Sequence, residues 1–406
     1  MKLGKLKFIP LLVFYIIIVL AASTDTFWGD EGRYVMFATN LSHGFYSPSD
    51  NIYLWNGPGY PLVLLPFLVA KLPWLAAKLF NALFLFGAVL YFYDTLRLYV
   101  TDKHALVFAY IFGSYPPFMK QIHLLLTETL VIFLVCGFLF HFCKYFKDNM
   151  TSWIQLLISS FYLGYLALTK IFFGYVILSG LLLFLFLYIW LRKDVFKKTF
   201  LVYLFALICC LPYLFYTYTL TGKIFYWGNS GGLSLYWMST PYEKELGDWI
   251  WTENVYSNPE LLQRHGEFYS TLESLSSIQR DEELKKQAIQ NIINHPFKYF
   301  KNWLANVGRL LFNYPYSYNS QKLSTYFYLI PNMFLVVAFV FCLYPAYIGR
   351  KLIPYEVYAL FVFCMISFTG STIVSAYNRQ FQSLMPVFLL WISFILVRIV
   401  RVEIRQ

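Results

Sequence analysis

Apolar runs long enough to cross a bilayer recur along most of the chain. A transmembrane helix needs about 20 mostly apolar residues, and ten segments reach or approach that length. They are predicted near residues 8–24, 74–93, 105–119, 124–143, 153–169, 171–191, 199–220, 325–348, 355–374 and 381–398. The pattern predicts an all-α integral membrane protein, a multi-spanning bundle of about ten transmembrane helices with both chain ends on one side.

The positions of lysine and arginine provide a test, because cytoplasmic loops hold the excess of these residues. If the first residues are inside, five inner segments carry most of the loop cations, and the short outer loops carry few. These cations are Arg97, Lys103, Lys144, Lys147, Arg192, Lys193, Lys197, Lys198, Arg350, Lys351, Arg398, Arg401 and Arg405. Merging the spans near 105–119 and 124–143 would invert every later segment, so the even count depends on this region.

Two outer segments are too long to be simple turns. The first, residues 25–73, belongs to a predicted membrane domain over 1–220 and contains a surface helix that begins at Asp30. It also contains an apolar piece over 61–70, which is too short to span. The second, residues 221–322, is predicted to be an external loop domain with amphipathic helices, and residues 323–406 form the C-terminal membrane helices.

Two helices are predicted near the end of the external loop domain. The acidic residues 281–283 suit the positive end of a helix dipole, so they are expected to open a polar helix that ends near Asn294. Pro296 can occupy the first turn of the next helix. That helix carries Phe297, Phe300, Leu304, Val307 and Leu311 on one face, and we expect it to lie on the membrane surface.

Composition supports a membrane protein and removes several functional classes. The 406 residues are 59% hydrophobic, with a mean hydropathy of +0.55. Topology accounts for the net charge of +11 better than a nucleic-acid partner does. The six cysteines fall in apolar runs and are expected to be buried, and neither they nor the histidines show metal-ligand spacing. A cleavable signal peptide over residues 1–22 is an alternative to a retained first helix.

Six ionisable residues lie at or near the ends of predicted spans, where charge is costly and tends to mark function. They are Asp30, Glu31, Arg33, Glu128, Lys170 and Arg379. The predicted topology brings all six to one membrane depth on the outer face. We therefore expect them to form one site.

Each of these residues also has a structural interpretation. A charge pair at a helix start would explain Asp30 and Glu31, and a salt bridge to Lys120 or to His123 would explain Glu128. Lys170 could extend to the membrane surface, and Arg379 could anchor a lipid headgroup. Tryptophan and tyrosine near loop ends are typical of interfacial belts.

The stretch Asp30-Glu31-Gly32-Arg33, placed just after the first span, resembles the first external loop of the GT-C membrane glycosyltransferases. The resemblance is to the protein O-mannosyltransferases and the lipid A aminoarabinose transferases. Later segments resemble those enzymes in chain order, namely Gly57–Pro61, Leu126–Glu128, Leu168–Lys170, His295–Tyr299 and Asn378–Phe381. One departure is Asn56-Gly57, where aminoarabinose transferases have Glu-Lys, so a phosphate-contacting lysine is missing there.

The resemblance implies a glycosyltransferase that uses a polyprenyl-phosphate sugar and inverts the anomeric carbon. Asp30 would be the base, Glu31 would position the acceptor or hold Asp30, and Glu128 would be a second catalytic carboxylate. The donor phosphate would be bound by Arg33, Lys170 and Arg379. No cofactor or metal is expected, and the acceptor would be a glycan, lipid or protein. The site would face outward from a bacterial cytoplasmic membrane, in contact with membrane lipids.

Two other functions remain open at the level of sequence. A lipid or glycolipid transporter or flippase would be expected to show internal repeats near the bilayer midplane, and none is apparent. An O-antigen polymerase or ligase would also have many spans and a large external loop, but its catalytic Arg and His would lie in that loop. The charges after the first span favour the glycosyltransferase.

Overall fold

The computed structural model describes residues 3–147, 153–318, 321 and 323–400. Eighteen α-helices form within these ranges, and no strand does. The helices of the first part are α1 Ile9–Ala22, α2 Glu31–Ser42, α3 Gly59–Val69, α4 Trp74–Arg97, α5 Asp102–Gly113, α6 Pro116–Met119, α7 Glu128–Lys147, α8 Trp153–Thr169, α9 Phe172–Leu191 and α10 Asp194–Thr221. The rest are α11 Gly231–Met238, α12 Thr252–Ser257, α13 Pro259–Thr271, α14 Ser277–Asn294, α15 Pro296–Phe312, α16 Tyr326–Ile348, α17 Tyr355–Val374 and α18 Asn378–Phe394.

Eight helical segments within the described ranges are long and apolar enough to cross a membrane. They contain α1, α4, α7, α9, α10, α16, α17 and α18. Short turns of other helix types extend α1 at its start and α18 at its end, where a π-helical turn covers Ile395–Ile399. The prediction of an all-α integral membrane protein is confirmed.

The predicted span near 105–119 is wrong as a continuous helix. α5 ends at Gly113 after 12 residues, which is about 18 Å of helix against a hydrocarbon core of about 30 Å. Pro116 and Pro117 follow, and proline cannot continue a helix that precedes it. The chain covers the remaining height as α6 and an irregular segment that ends at Thr127. The predicted pass is therefore made by a broken helix.

Contacts between helix ends show that this broken segment does pass from one end of the bundle to the other. We call the end that bears residues 23–73 and 221–318 the loop end, and the other the terminal end. Asp102, at the start of α5, lies 2.9 Å from Arg97 at the terminal end. Leu125, beyond the break, donates its backbone N–H to Glu31 at the loop end. α8, which has 17 residues, also connects the two ends.

The first and last described residues lie together at the terminal end. Lys5 forms an ion pair with Asp94 at 2.5 Å. Tyr99 accepts a hydrogen bond at its backbone carbonyl from Arg398 and donates its hydroxyl to Glu356. With the broken segment and α8 included, the described chain runs between the two ends of the bundle ten times. Eight of these runs are helices long and apolar enough to span a membrane, so the count of about ten transmembrane helices stays a prediction. Arg401 and Arg405 lie outside the described residues.

A second hydrophobic core fills the segment after α10. Its buried members come from α11, α12, α13 and α14 and from the segments beside them, and they include Trp237, Ile250, Tyr269 and Leu284. α14 begins at Ser277, four residues before the predicted acidic start. Ser276 forms a capping box with Gln279 there. This cap pairs backbone N–H groups at the start of the helix, so the helix does not need the acidic residues to begin.

α15 turns its polar side inward and its apolar side outward. Asn302 and Arg309 are fully buried, whereas Phe297 is 84% exposed and Phe300 is 53% exposed. The buried amide of Asn302 donates to the backbone carbonyls of Met238 and Thr240. An exposed apolar face backed by buried polar contacts is the arrangement expected of a helix at a membrane surface.

Of the six cysteines, five are buried, and the expected burial is wrong for Cys209, which lies on the exposed face of α10. α10 is a candidate membrane span, so this thiol faces the position of lipid. Its neighbour Cys210 is buried.

The ten-pass arrangement predicts which loops share a side of the membrane. In a Cys209→Ser background, Lys193→Cys and Arg350→Cys should react alike with a membrane-impermeant maleimide in sealed vesicles, because both lie at the terminal end. Glu267→Cys, in α13 at the loop end, should show the opposite accessibility. Detergent-permeabilised vesicles, in which all three should react, are the control. Equal protection of positions 193 and 267 in sealed vesicles would contradict the topology.

Candidate active site

The site begins at the short connection between α1 and the surface helix α2. Asp30 is the residue just before α2, but its side chain does not cap the helix. The Asp30 carboxylate instead accepts hydrogen bonds from two guanidinium groups, those of Arg33 and Arg379, the latter at 3.0 Å. Because Asp30 and Arg379 are 349 positions apart, this contact joins the first external loop to the start of the last long helix.

Arg33 connects Asp30 to aromatic residues of the same loop. Its Nη1 donates to the Tyr53 hydroxyl at 3.1 Å, and its guanidinium carbon lies 5.3 Å from the ring centroid of Trp55. The Arg33 Nε is buried and has no hydrogen-bond partner among the described residues. An unpaired buried donor is costly, so this N–H is available to an anionic ligand.

The two guanidinium groups determine the protonation state of Asp30. Burial raises the pKa of the carboxyl, but the positive charges of Arg379 and Arg33 outweigh burial and hold the pKa below its ordinary value. The lowered pKa means that Asp30 is a carboxylate at neutral pH. Its contribution to stability is present above its ordinary pKa of about 3.9 and is lost as the pH falls through the lower folded-state value.

Glu128 forms the second anionic centre at the start of α7. Its Oε1 lies 3.0 Å from the Lys170 ammonium and 3.8 Å from Arg379 Nε. Arg379 therefore touches both carboxylates. The other oxygen of Glu128, Oε2, is buried and has no hydrogen-bond partner in the described part of the chain. Glu128, Lys170 and Arg379 line a crevice of about 40 Å³.

These contacts differ from the structural interpretations of the same residues. Lys170 turns its ammonium to Glu128 and not to the surface, and Arg379 directs its guanidinium to Asp30 and Glu128. Lys120, considered as a partner of Glu128, lies over the ring of Tyr328 at 5.0 Å. The structure thus places Asp30, Arg33, Glu128, Lys170 and Arg379 in one connected network.

Glu31 is also close, but its contacts are of another kind. It is fully buried and accepts from the backbone N–H of Trp28 at 2.8 Å and of Leu125 at 2.7 Å. Lys78 Nζ lies 3.9 Å away. Glu31 therefore fastens the start of α2 to the irregular segment before α7. Of its two predicted roles, this geometry fits holding Asp30 in place and not contacting the acceptor.

Two glycines set the position of Lys170. A Cβ atom on Gly57 would stand 2.0 Å from the Leu168 carbonyl oxygen, and one on Gly59 would stand 2.4 Å from the Thr169 hydroxyl oxygen. Only glycine allows the start of α3 to approach the end of α8 this closely. The Gly57-Pro-Gly59 sequence thus fixes the residues that lead directly into Lys170.

A cavity of about 1290 Å³ opens over the network, between the bundle and the residues that follow α10. Its charged end contains Asp30, Arg33, Lys170 and Arg379. Other parts of its wall are aromatic or apolar, including Trp55, Phe172, Tyr175, Tyr226, Trp249, Trp251, Tyr316, Val374 and Tyr377. A concave site with a few converging charges and an apolar wall is typical of a ligand-binding site.

Sequence reasoning did not find several residues in or beside this wall. Tyr53 and Trp55 were not predicted, although both touch Arg33. Asp248 lines the cavity and accepts from the backbone N–H of Ser317 at 3.1 Å. The dense aromatic spacing of residues 53–55 and 249–251 was the available signal. Across the described ranges, no group of three or more His, Cys, Asp or Glu side chains is placed to hold a metal ion.

One solved structure that resembles this fold is the archaeal oligosaccharyltransferase AglB from Archaeoglobus fulgidus, in complex with an inhibitory peptide and a dolichol-phosphate. The match covers 98% of this chain and 50% of AglB, with 14% sequence identity and a TM-score of 0.51. The chain has the GT-C fold. It spans half the length of AglB.

A second GT-C structure gives a weaker match. ArnT from Cupriavidus metallidurans, bound to undecaprenyl phosphate, matches over 96% of this chain and 77% of its own, with 11% identity and a TM-score of 0.44. No protein-family model matches the sequence, and a search of curated proteins finds no match. At 14% identity the similarity to AglB establishes the fold alone, and the residues of this chain must supply the argument for its chemistry.

The contacts of Glu31 predict a structural defect when its charge is removed. Glu31→Gln should lower the free energy of unfolding by about 1–3 kcal/mol, because an amide NH₂ would face a buried backbone N–H that now donates to an oxygen. Thermal unfolding of the detergent-solubilised protein would measure this loss. Glu267→Gln, at an exposed position of α13, is the matched control. Equal stability of the two variants would contradict the anchoring role.

Proposed function

We propose that this GT-C protein is a glycosyltransferase that moves a sugar from a polyprenyl-phosphate donor to an acceptor hydroxyl. The observation that carries the proposal is the network in which the carboxylates of Asp30 and Glu128 hold Arg33, Lys170 and Arg379 at the charged end of a large cavity. The network lies at the loop end, where apolar helices meet the polar segments. A substrate with a lipid tail and a polar head would meet it there.

The charges of the network suit a phosphate-linked leaving group. Three cations against two carboxylates leave one positive charge, which matches the single negative charge of a sugar phosphodiester. When the bond from the sugar to phosphate breaks, the electron pair stays on a phosphate oxygen, and its charge rises. Fixed cations stabilise such developing charge best when they are already in place, and guanidinium groups bind phosphate oxygens in pairs.

Asp30 is the proposed base. It is ionised at neutral pH, partly buried and in the cavity wall. As the acceptor oxygen bonds to the anomeric carbon, Asp30 takes the acceptor's proton, while the polyprenyl phosphate leaves from the opposite face with its electron pair. Attack from one face and departure from the other invert the anomeric configuration. The proton then passes from Asp30 to solvent or to the released phosphate.

The other two carboxylates have supporting roles in this proposal. Glu128 orients Lys170 and Arg379, and its unpaired Oε2 is available to a hydroxyl of the donor sugar. Glu31 holds the backbone that carries Asp30. Because a carboxylate that only positions backbone does not meet the reacting atoms, we assign Glu31 as a positioning residue and not as a catalytic one.

The donor's lipid tail explains the apolar part of the cavity wall. Phe172 of α9 and Val374 of α17 lie in that wall beside Lys170 and Arg379, and both helices are candidate membrane spans. A polyprenyl chain in the bilayer can place its phosphate at the cations without a nucleotide-binding loop. We infer that no cofactor or divalent metal is needed, because Arg33, Lys170 and Arg379 already supply positive charge where the phosphate would bind. The site is proposed to face outward from a bacterial cytoplasmic membrane.

The base assignment predicts that Asp30→Asn abolishes transfer and leaves donor binding nearly unchanged, since the amide cannot take the acceptor's proton. The measurement uses purified protein in detergent, a radiolabelled panel of polyprenyl-phosphate sugars and a membrane extract as the acceptor source. Transfer by the wild type should persist in EDTA. The control is Asp50→Asn, an exposed carboxylate of the same loop, which should transfer normally. A folded, active Asp30→Asn protein would contradict the assignment.

The phosphate-binding assignment predicts a change in donor dependence when Arg33 is removed. Arg33→Ala should raise the donor KM by about 10- to 100-fold, the equivalent of a charge-assisted hydrogen bond worth about 1.5–3 kcal/mol. Lys285→Ala is the matched control, because Lys285 lines the same cavity but lies in α14, apart from the network. Equal donor KM values for both variants would remove Arg33 from the phosphate site.

A further inference from the structure

A second cavity of about 480 Å³ lies beside the one over the charged network. Pockets that bind small ligands commonly have volumes of about 300–1,000 Å³, so this one is large enough to be occupied. The two cavities meet at Trp55 and Asp281, which line both. An extended molecule could therefore occupy both cavities at once.

The wall of the second cavity combines flat rings with polar edges. Its aromatic members are Tyr53, Trp55, Tyr256 and Tyr269, and its polar members include Asn51, Asn229, Thr252, Glu273, Ser276, Ser277, Arg280 and Asp281. Aromatic faces pack against the C–H faces of sugar rings, and amide, hydroxyl and carboxylate edges pair with sugar hydroxyls. Two carboxylates against one guanidinium make the wall unfavourable for phosphates and other polyanions.

The second cavity is connected directly to the proposed phosphate site. Tyr53 accepts a hydrogen bond from Arg33 at 3.1 Å, and Trp55 lies 5.3 Å from the same guanidinium. The rings of Tyr53 and Trp55 are themselves 5.4 Å apart. A ligand on these rings would therefore have one end within the charged part of the first cavity.

The wall is held in place by contacts that do not involve a ligand. Leu54, between the two rings, donates its backbone N–H to Asn229 at 2.9 Å, and Asn229 returns a hydrogen bond to Ile52. Ser277, at the start of α14, also donates to the Ile52 carbonyl. The first external loop is thus fixed to α14 and to the loop that leads into α11, which keeps the cavity open and shaped before binding.

We propose that the second cavity binds the acceptor, and that the acceptor is an uncharged glycan of several sugars. Its terminal hydroxyl would reach Asp30 in the first cavity, while the following sugars pass Trp55 and pack on Tyr53 and Tyr256. This inference rests on the proposed glycosyltransferase function and specifies its acceptor. A peptide is the weaker occupant, because one main way of holding an extended peptide, addition to a strand edge, needs a strand, and the described residues form none.

The first test measures binding without any transfer reaction. The wild-type protein in detergent is applied to a microbial glycan array, and its best ligand is titrated against wild type and Tyr256→Ala. Tyr256 is 42% exposed, and its removal should weaken binding about tenfold. Leu262→Ala is the matched control, because Leu262 is 45% exposed on the neighbouring helix α13 and lies outside both cavity walls. Absence of any glycan binding, or equal loss in both variants, would overturn the proposal.

The second test separates this inference from the proposed function. Transfer is measured with acceptor glycans of one to four sugars built from the best array ligand. The wild type and the control Leu262→Ala should both show a falling acceptor KM as the acceptor lengthens, and Tyr256→Ala should remove most of that gain. Transfer that is equally efficient for all lengths would refute the glycan site but support the transferase. Glycan binding with no transfer from any donor would refute the transferase and leave the binding site.

Discussion

The structure depends on the pairing of Asp30 and Glu128 with three cations. A buried carboxylate is tolerated only when it is paired and hydrogen-bonded, and removing one partner of such a pair costs about 3–5 kcal/mol. Arg379 lies within ion-pair distance of both carboxylates and supplies part of the pairing that each needs. The pairing therefore holds the connection after α1, the start of α7, the end of α8 and the start of α18 in one arrangement, and the same cations that stabilise the fold become the proposed phosphate site.

α15 explains how the position of Arg379 is maintained at the membrane surface. Asn306 donates to the Thr372 carbonyl at 2.6 Å and accepts from the Ala376 N–H at 3.0 Å. Thr372 lies in the last turn of α17, and Ala376 lies in the connection to α18, just before Arg379. The other side of α15 is apolar and exposed. α15, which we expect to lie on the membrane surface, is thus fastened directly to the backbone that leads to Arg379.

The sequence allowed the bundle, the even number of passes and the five network residues to be predicted, because apolar length, loop charge and charge at span ends act locally. It did not indicate that residues 102–127 form a broken pass. Apolar composition alone does not show that Pro116 and Pro117 interrupt the helix. The contacts of Glu31 could not be inferred either. Its carboxylate pairs with backbone N–H groups, which every residue except proline has, so no residue type in the sequence identifies the partners. Tyr53, Trp55 and the second cavity arise from long-range packing of α11, α12 and α14 on the first loop. The catalytic roles of the network residues remain predictions.

The most direct test of the account is a cryo-electron microscopy structure of the protein in nanodiscs with undecaprenyl phosphate. The account predicts the phosphate within hydrogen-bond distance of Arg33, Lys170 and Arg379, with Arg379 still in contact with at least one of its two carboxylates and the lipid tail beside α9 and α17. A phosphate bound elsewhere, with the pairing of Asp30 and Glu128 to Arg379 and Lys170 undisturbed, would contradict it and would leave the network as a structural feature alone.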